Sequence, residues 1–271
     1  MKTLKNHVIL FDEDCPMCHA YTKAFTRLNM LPVNGRAAYQ NTPAHICPMV
    51  DKKRAANEIA LVNTATGEVI YGINSLFKII GNSIPFFKPL FGFGPFLWLM
   101  KKVYAFISYN RKIIIPAEVK KDVIQPDFKL NYRIAFLLFT WFLTAYILTA
   151  YAQLLTDFVP LGSKYREYII CGGQIIFQGV IITCYKREKL WDYLGNMMTI
   201  SFAGSLLLAL PLVLSKWLQA PPTFYVLYFL LIASLMLLEH LRRSRILKLG
   251  LLMSISWVFY RIVILGIIFI Y

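Results

Sequence analysis

Five long apolar runs in the second half of the chain constrain its fold more than any other feature. A helix needs about 20 apolar residues to cross the hydrocarbon core of a bilayer. The runs that approach this length are Ile134–Leu155, Tyr168–Tyr185, Leu194–Leu214, Thr223–Leu241 and Leu249–Tyr271. Hydrophobic residues make up 58% of the chain, more than a soluble domain of this size normally carries. The second half is therefore predicted to be an all-α bundle of about five transmembrane helices.

The distribution of charge along the chain predicts two domains. Residues 1–128 mix charged residues with short apolar runs, as a small soluble domain does. Residues 129–271 have long apolar runs separated by short charged clusters. We therefore expect a water-facing domain at 1–128 and a membrane domain at 129–271.

The strongly basic composition fits a membrane better than a nucleic acid. The chain has 29 Lys and Arg against 14 Asp and Glu, a net charge of +15. These basic residues cluster at the ends of the apolar runs, where they anchor helices and attract anionic lipid headgroups. No basic run is interleaved with aromatic residues as a nucleic-acid groove would be. The predicted partner is the lipid bilayer, and nucleic acid is excluded.

The basic loops predict how the bundle is oriented. Lys129 and Arg133 precede the first run, Lys186–Lys189 follows the second, and Arg242–Arg245 follows the fourth. These three clusters fall on one side of the membrane if all five runs span it. Cytoplasmic loops carry the excess of Lys and Arg, so the N-terminal domain is predicted in the cytoplasm and Tyr271 outside.

The apolar run nearest the N-terminus supports the same orientation. Val8–Phe11 stops at Asp12, well short of the ~7–15 apolar residues that a signal peptide needs. The chain is therefore expected to be a multi-pass protein of the plasma or inner membrane, with its N-terminal domain in the cytoplasm.

Several polar residues fall within the predicted spans. An ionisable side chain at membrane depth is costly unless it finds a partner, so Arg261 is a candidate site residue. Pairing with a carboxylate or snorkelling to the interface would equally account for it. Three glutamines are expected to form hydrogen bonds between helices: Gln153, Gln174 and Gln178. Three glycines of the second run suit close helix packing: Gly172, Gly173 and Gly179.

The first half of the chain alternates predicted strands and helices. The predicted strands are His7–Phe11, Val33–Tyr39, Glu58–Asn63 and Glu68–Tyr71. The predicted helices are Cys18–Leu31, Ala44–Arg54 and Asn74–Ile80, the last with Asn74 as its cap. The order β-α-β-α-β-β-α is that of a thioredoxin-like fold, so we expect an α/β domain with a small mixed sheet and helices on both faces.

The apolar and aromatic segment Ile84–Ile107 is interrupted by Pro85, Pro89 and Pro95. Proline breaks a helix interior, so the segment is not predicted to be an uninterrupted span. Two interpretations stay open: helices packed on the soluble domain, or an interfacial segment lying against the membrane.

A Cys15-Pro16-Met17-Cys18 dithiol stands where the first strand should give way to a helix. Free N–H groups and the helix dipole stabilise a thiolate at that position and lower the cysteine pKa. Cys15 is therefore predicted to attack a disulfide, and Cys18, one helical turn on, to resolve the mixed disulfide. Asp12 adds negative charge nearby and is a candidate proton acceptor for Cys18.

The Cys-x-x-Cys motif has two other interpretations. A structural zinc site needs four ligands, and only His19, His45 and Cys47 are placed to complete one. The pair could also be two ordinary cysteines. The strand–turn–helix context favours redox chemistry, so neither a metal nor a cofactor is expected.

The segment Asp12-Glu13-Asp14-Cys15-Pro16-Met17-Cys18 resembles the D-x-x-C-x-x-C signature of the DCC family, whose proteins are assigned as thiol–disulfide oxidoreductases. The resemblance covers residues 5–115. Its further parts are the strand end at Tyr39-Gln40, the stretch Gly67–Leu76, Val103-Tyr104 and Asn110-Arg111. It implies a thioredoxin-like fold, a redox role for Cys15 and Cys18, and a place in the motif for Asp12.

The chain departs from the family and from thioredoxins at two places. The family usually has glycine where this chain has Glu13 or Asp14. Thioredoxins place a cis-proline before the third strand, facing the dithiol, where this chain has Ala55-Ala56-Asn57.

Cys171 and Cys184 lie in the second apolar run, thirteen residues apart. This spacing is about 20 Å along a helix, so the two cannot pair with each other. They are expected to be inert rather than steps on an electron path through the membrane.

The sequence leaves two functions open. The first is a membrane-tethered thiol–disulfide oxidoreductase on the cytoplasmic face, acting as a reductase of protein or small-molecule disulfides. The second is a membrane transporter or assembly subunit whose cytoplasmic domain senses redox state or binds a partner.

Overall fold

The computed structural model describes residues 2–42, 47–116, 126–215, 217 and 220–270. The chain divides into two compact units, Met1–Tyr132 and Arg133–Tyr271. The domain boundary predicted at 128 lies a few residues before this division.

The described part of the first unit combines four short strands with five helices. The strands are β1 His7–Phe11, β2 Arg36–Ala38, β3 Ala60–Asn63 and β4 Val69–Tyr71. The helices are α1 Pro16–Arg27, α2 Lys52–Asn57, α3 Ile73–Ser83, α4 Lys88–Gly92 and α5 Gly94–Ile114. Short 3-10 turns occupy Tyr39–Asn41, Cys47–Met49 and Pro85–Phe87. The predicted order β-α-β-α-β-β-α is confirmed, and the bounds predicted for β1 are those observed.

The strands form one mixed sheet in the order β2-β1-β3-β4. β1 runs parallel to β2 and antiparallel to β3, and β4 is antiparallel to β3. Successive side chains of a strand point to opposite faces. Ile9 and Leu61 accordingly pack on one face with Phe25 of α1 and Ile79 of α3.

The other face of the sheet is covered as well. Leu10 and Ala60 pack there with Ala55 and Ala56 of α2 and with Tyr39. Helices therefore cover both faces, and the buried β1 is held in the centre of the unit. This placement fixes the end of β1, where the dithiol begins.

Two predicted helix starts are wrong. Asn74 is not a cap, because the N-cap of α3 is Gly72, whose φ of +65° suits a residue without a side chain. The helix predicted at Ala44–Arg54 begins only at Lys52, where the Asp51 carboxylate accepts a hydrogen bond from Arg54 N at 3.0 Å. The first part of that predicted helix, residues 44–46, lies outside the described residues.

Three other predicted elements are shorter than expected. The helix predicted at Cys18–Leu31 begins at Pro16 and ends at Arg27, because Asn29 adopts a φ of +54° that turns the chain. The strand predicted at Val33–Tyr39 reduces to β2. The strand predicted at Glu58–Asn63 begins at Ala60, as β3.

The segment predicted to be either packed helices or an interfacial element is helical. Pro85–Gly92 and Gly94–Ile114 meet at a bend of 90°. The C-terminal half of α5 packs within the first unit, since Ser108, Asn110 and Arg111 are buried. These residues follow the predicted segment Ile84–Ile107. Within it, Tyr104 packs against the core of the first unit, which supports packed helices there, and contact with a membrane stays a prediction.

The second unit is helical throughout its described elements. Its helices are α6 Leu130–Ala152, which begins at the boundary, α7 Arg166–Lys186, α8 Leu190–Leu214, α9 Pro222–Ile246 and α10 Leu252–Ile270. Each corresponds to one predicted apolar run. By length and composition, four stretches are long and apolar enough to cross a membrane: Leu130–Leu155, Arg166–Leu214, Pro222–Ile246 and Leu252–Ile270.

The second of these stretches contains two helices. It is 49 residues long, or about 74 Å if it were one straight helix, more than twice the hydrocarbon thickness. The Tyr193 hydroxyl of α8 donates to Gln178 Oε1 of α7 at 2.7 Å, although 15 residues separate them. α7 and α8 must therefore fold back on each other around the turn Arg187–Lys189.

Glutamines join the helices of this unit, as predicted for two of the three. Gln174 Oε1 accepts a hydrogen bond of 2.6 Å from Arg261 Nε of α10. Gln178 bonds both Tyr193 of α8 and Ser256 of α10. Gln153 is instead exposed. Arg261 was predicted to pair with a carboxylate or to snorkel. It hydrogen bonds instead to the neutral Gln174, and its guanidinium stacks on the Trp257 ring.

The three basic clusters lie at one end of the second unit. Arg133 pairs with Asp192 at 3.5 Å, beside the turn between α7 and α8. Arg243 donates to Asn196 Oδ1 at 3.0 Å, and Lys186 Nζ donates to the Lys248 carbonyl at 2.7 Å. The sequence predicts these clusters on one side of the membrane only if all five apolar runs span it. The contacts that bring the clusters to one end of the unit support that prediction.

Close helix packing is confirmed at Gly172 and Gly173. A Cβ added at Gly172 would lie 2.7 Å from the Trp141 ring, and one at Gly173 would lie 2.5 Å from the Tyr260 hydroxyl. The neighbour of Gly179, Leu194, is at an ordinary 3.9 Å. The Trp141 ring cannot easily yield, because its indole N–H donates to the Tyr168 carbonyl at 2.9 Å.

We expect Gly172→Ala to lower the melting temperature of the purified protein in detergent, since overpacking costs about 1–3 kcal/mol. Gly266→Ala in α10 is the matched control, because no described atom lies within 4 Å of an added Cβ there. That control should be neutral or raise the melting temperature, by up to about 1 kcal/mol of helix propensity. Equal melting temperatures for the two variants would contradict the packing of α7 on α6.

Candidate functional site

The dithiol lies at the junction of β1 and α1. Cys15 is the N-cap of α1, and Pro16 occupies the first helical position, where a missing N–H costs nothing. The Cys15 sulfur accepts a hydrogen bond from Cys18 N at 3.3 Å. Both thiols are free and buried, next to Phe11, Met17 and Tyr21. The predicted placement of the pair at a helix N-terminus is therefore confirmed.

The two thiols differ in acidity. The pKa of Cys15 is lowered from 9.0 to about 7, first by a hydrogen bond from the Cys18 thiol, then by the Cys18 backbone N–H and by the positive charge of Arg111. Burial and the Asp12 carboxylate act in the opposite direction. The pKa of Cys18 is raised, first by its hydrogen bond to Cys15 and then by burial. A thiolate therefore forms on Cys15 while Cys18 keeps its proton.

Asp12 forms a buried ion pair beneath the dithiol. Its Oδ2 accepts a hydrogen bond of 2.8 Å from Arg111 Nη2, and its side chain is only 7% exposed. Its Oδ1 accepts from Gln40 Nε2 at 2.8 Å and from Asp14 N at 3.2 Å. Both oxygens are thus engaged by hydrogen-bond donors. That Asp12 accepts the Cys18 proton stays a prediction.

Arg111 reaches the site from α5, 99 residues further along the chain. Its side chain is 4% exposed. Its Nη2 also donates to the Ala56 carbonyl at 2.6 Å, and its Nη1 donates to the Asn57 carbonyl at 3.4 Å. These two carbonyls belong to the segment before β3, the place where a thioredoxin has its cis-proline. The guanidinium therefore joins the dithiol loop to that segment.

The charge of Arg111 is retained despite its burial. Burial alone would lower the pKa of Arg111, but its electrostatic interactions with the two sulfurs of the dithiol and with the Asp12 carboxylate outweigh burial and raise the pKa. Arg111 Nε has no hydrogen-bond partner among the described residues. The site thus contains a permanent cation facing two sulfurs and one carboxylate.

Two tyrosines complete the buried surroundings. The hydroxyl of Tyr21 hydrogen bonds to the Cys18 sulfur, which opposes the rise in the pKa of Cys18. The pKa of Tyr21 is itself raised, first by burial. The Tyr104 hydroxyl of α5 accepts a hydrogen bond from Ile59 N at 3.0 Å, directly before β3. Both hydroxyls therefore stay protonated in the ordinary pH range.

The structure brings the three predicted site residues together and adds others. Asp12 follows β1, Cys15 caps α1 and Cys18 lies in its first turn, so the three stand at one strand–helix junction. Gln40 and Arg111 were not assigned a role from the sequence, although both stand in stretches that resemble the DCC family. That resemblance is the signal that could have placed them.

The metal interpretation gains no support from the described residues. His19 lies next to the dithiol, with its ring packed edge-on against Phe11 at a centroid distance of 5.7 Å. The side chains of the other proposed ligands, His45 and Cys47, lie outside the described residues. Within the described part of the chain, no three His, Cys, Asp or Glu residues are grouped to hold a metal ion.

The remaining described cysteines lie apart from each other on α7. Cys171 is buried and Cys184 is exposed, and both are free thiols. A buried free cysteine such as Cys171 is typically an inert core residue.

No family model, no curated protein and no solved structure matches the chain.

Proposed function

We propose that this protein is a membrane-tethered thiol–disulfide oxidoreductase of the DCC type, acting as a disulfide reductase at the cytoplasmic face. The observation that carries the proposal is the unequal acidity of the two buried thiols at the start of α1. Cys15 has a pKa lowered to about 7, whereas that of Cys18 is raised. A nucleophile near neutral pH and a protonated resolving thiol are what disulfide exchange requires.

The reaction follows from this asymmetry. The Cys15 thiolate attacks one sulfur of a substrate disulfide, a Cys15–substrate bond forms, and the first substrate sulfur leaves as a thiolate. Cys18 then loses its proton and attacks the Cys15 sulfur, which releases the second substrate thiolate. The substrate gains two electrons, and Cys15 and Cys18 lose two as they form a disulfide. A thiol reductant of the cell must reduce that disulfide before the next cycle.

Arg111 serves the first step by its charge. Its guanidinium forms an ion pair with the Asp12 carboxylate, and its positive charge lowers the pKa of Cys15. Because it is buried, this interaction is screened less by salt than a surface charge would be. Arg111 acts on the reaction through Cys15, so it is a positioning residue. Its hydrogen bonds also hold the dithiol loop against the segment before β3.

The fold of the first unit supports the proposal. Its element order, and a four-stranded sheet in which β3 is antiparallel to both neighbours, are those expected of a thioredoxin-like domain. The dithiol at the end of β1 also has the position that such a domain gives it. The segment before β3 differs, since its carbonyls contact Arg111.

The cytoplasmic location of the dithiol belongs to the proposal as well. The basic clusters gathered at one end of the second unit would face the cytoplasm under the positive-inside rule. The N-terminal unit directly precedes α6, which begins at that basic end, so it would lie on the same side. A dithiol in a reducing compartment rests reduced, which favours reduction of substrates over oxidative folding.

A second function is favoured by the polar network in the apolar bundle. The Tyr193 hydroxyl lies 3.1 Å from His240 Nε2, and His240 Nδ1 lies 2.9 Å from the Ser254 hydroxyl. Buried polar groups in a membrane mark ion or substrate pathways when they line a cavity. Such a pathway would make the protein a transporter or assembly subunit whose first unit senses redox state.

This second function has less support than the first. The buried polar groups bond to one another, as groups that hold helices together also do. A cavity of about 390 Å³ in this unit is lined instead mostly by apolar residues of α7, α10 and the loop before α7, with Arg166 among the lining residues. Arg166 is already paired with Glu167 at 2.8 Å.

The acidity of Cys15 provides a direct test. We expect the alkylation of Cys15 by iodoacetamide, followed by peptide mass spectrometry of the full chain in nanodiscs, to be half-maximal near its pKa of about 7. Below that pH the rate should fall about tenfold per unit, because only the thiolate reacts. Cys18 should stay unmodified over the same range.

Two controls separate the folded environment from the intrinsic reactivity of the thiol. The denatured chain should show half-maximal alkylation near pH ~8.5, the value of an unperturbed cysteine. Cys18→Ala removes the hydrogen bond that lowers the pKa most and should move the midpoint upward. A midpoint that is the same in the folded and denatured chain would argue for a structural role of the dithiol.

A further inference from the structure

A group of large apolar side chains on α4, α5 and the turn before them is exposed in the first unit. The exposed fraction is 84% for Phe86, 58% for Phe93 and 63% for Trp98. Leu90 and Leu99 are exposed as well. We refer to these five residues as the aromatic face. An exposed apolar group of this size marks a contact surface rather than a random surface residue.

The aromatic face is built on a fixed support. Phe91 of α4 stacks on Phe77 of α3 with ring centroids 4.0 Å apart, and Phe96 of α5 stacks on Phe77 at 5.9 Å. Phe87 stacks on Phe91 at 5.8 Å. These contacts between half-buried rings lie at the 90° bend between the two helices, and the exposed side chains project from that bend.

By length and composition, Pro85–Gly92 and Gly94–Ile114 together could form one bent span, but two features of α5 argue against a crossing. The C-terminal half of α5 carries Arg111, whose guanidinium lies in the dithiol site. The helix also exposes Lys101 and Lys102 in its middle. A span would have to take these charges and the site into lipid, at a cost of several kcal/mol for each charge.

The charge around the aromatic face is of one sign. No Asp or Glu occurs between Glu68 and Glu118, whereas Lys88, Lys101 and Lys102 lie within or beside the face and are exposed. Aromatic side chains with flanking lysines are typical of surfaces that lie in the headgroup region of an anionic membrane. A soluble protein partner would need acidic residues to match these lysines. Lipid needs no further assumption, because the same chain has apolar helices that fit a bilayer.

We propose that the aromatic face inserts into the headgroup region of the bilayer in which the second unit resides. Phe86, Phe93 and Trp98 enter the boundary between headgroups and acyl chains, and the lysines contact lipid phosphates. The tether to the second unit gives the face a high local concentration of lipid, so its own affinity can be modest. The contact fixes the depth of the first unit at the membrane, independently of its redox chemistry.

The depth of spin labels on the full chain in nanodiscs tests this proposal. The five native cysteines are replaced by serine, and a nitroxide is attached at Phe86→Cys or Trp98→Cys. Val33→Cys is the matched control, because Val33 is an exposed apolar residue of the same unit, 89% exposed, outside the aromatic face. Nanodiscs contain phosphatidylcholine with phosphatidylglycerol.

We expect labels at 86 and 98 to be accessible to oxygen and shielded from a water-soluble nickel chelate, with a several-fold higher collision ratio than at 33. Lys101→Gln with Lys102→Gln should reduce this ratio in anionic nanodiscs. A label at 86 that is as open to the nickel chelate as the label at 33 would overturn the proposal. Shielding from both reagents would overturn it too, because it would show a protein contact on the face.

The chain with its native cysteines gives an independent measurement. Brominated acyl chains quench tryptophan fluorescence only at close range. The difference between the native chain and Trp98→Phe isolates the Trp98 contribution, and we expect brominated lipids to quench it. A Trp98 component that brominated lipids leave unchanged would overturn the proposal even if the cysteine-free chain does not fold.

Discussion

Replacing Cys18 with serine is expected to convert a transient mixed disulfide on Cys15 into a stable one. Cys15 still attacks the substrate disulfide, but no thiol remains at position 18 to resolve the product. The serine hydroxyl can replace the thiol as a hydrogen-bond donor to the Cys15 sulfur, so the nucleophile should stay acidic. Substrates should therefore accumulate on Cys15 and be visible on non-reducing gels of membranes.

Replacing Cys15 with serine should have the larger effect on turnover. A hydroxyl is not ionised near neutral pH, so disulfide reduction by the full chain in nanodiscs should fall by about three orders of magnitude or more. The C15S variant should capture no mixed disulfide. Its fold should persist, because serine is close to cysteine in size and can cap a helix.

The remaining cysteines provide the control for this experiment. In the C18S background, C171S and C184S should leave trapping unchanged, and alone they should leave turnover unchanged, because the two residues lie in α7, outside the dithiol site. Loss of turnover in C171S would instead indicate an electron path through the second unit. If C18S captures no protein and no small disulfide, the oxidoreductase proposal fails and the redox-sensor function becomes the better one.

Local features of the site were predictable from the sequence because they depend on neighbouring residues. The end of β1 follows from the change from apolar residues to Asp12, and the start of α1 follows from the cysteine and proline at its first positions. The apolar runs of the second unit were also predictable, since each is long enough to signal a helix alone. The misplaced cap at Asn74 has a local cause too: a glycine with positive φ ended the preceding turn two residues earlier.

The charge environment of the dithiol was not predictable in the same way. Arg111 stands 99 residues from Asp12 and carries no local pattern that points to a sulfur. Its role depends on how α5 packs against the segment before β3, which is a tertiary property. The sequence correctly indicates that the Asp12 carboxylate opposes thiolate formation on Cys15. It does not indicate that Arg111 pairs with this carboxylate.

The ion pair between Asp12 and Arg111 leads to the second large effect. Removing one partner of a buried pair leaves an uncompensated charge and typically costs about 3–5 kcal/mol. We therefore expect Arg111→Met to destabilise the first unit by about this amount. Hydrogen exchange of the β1 and β3 amides in the full chain measures this, and exchange should accelerate by about two to four powers of ten.

A surface pair in the same unit is the matched control. Arg54 and Glu58 lie 3.9 Å apart, and the Arg54 side chain is 55% exposed. Arg54→Met should cost less than about 1 kcal/mol, because exposed pairs gain little from their attraction. Equal acceleration of exchange in the two variants would contradict the burial of the Asp12–Arg111 pair.

The same pair predicts opposite changes in thiol acidity for its two members. Arg111 lowers the pKa of Cys15 and Asp12 raises it, so Arg111→Met should move the pH midpoint of Cys15 alkylation upward and Asp12→Asn should move it downward. At pH 6, where most of Cys15 is protonated, Asp12→Asn should therefore alkylate faster than the native chain and Arg111→Met more slowly.

These opposite signs separate an electrostatic role from a structural one. Both single variants disrupt the same buried contact, so a purely structural role would shift the midpoint in one direction for both. The double variant Asp12→Asn with Arg111→Met removes both charges and should recover part of the stability lost in Arg111→Met, because no buried charge is left unpaired. Midpoints that move together in the single variants would show that Arg111 holds the loop in place without acting on the thiolate.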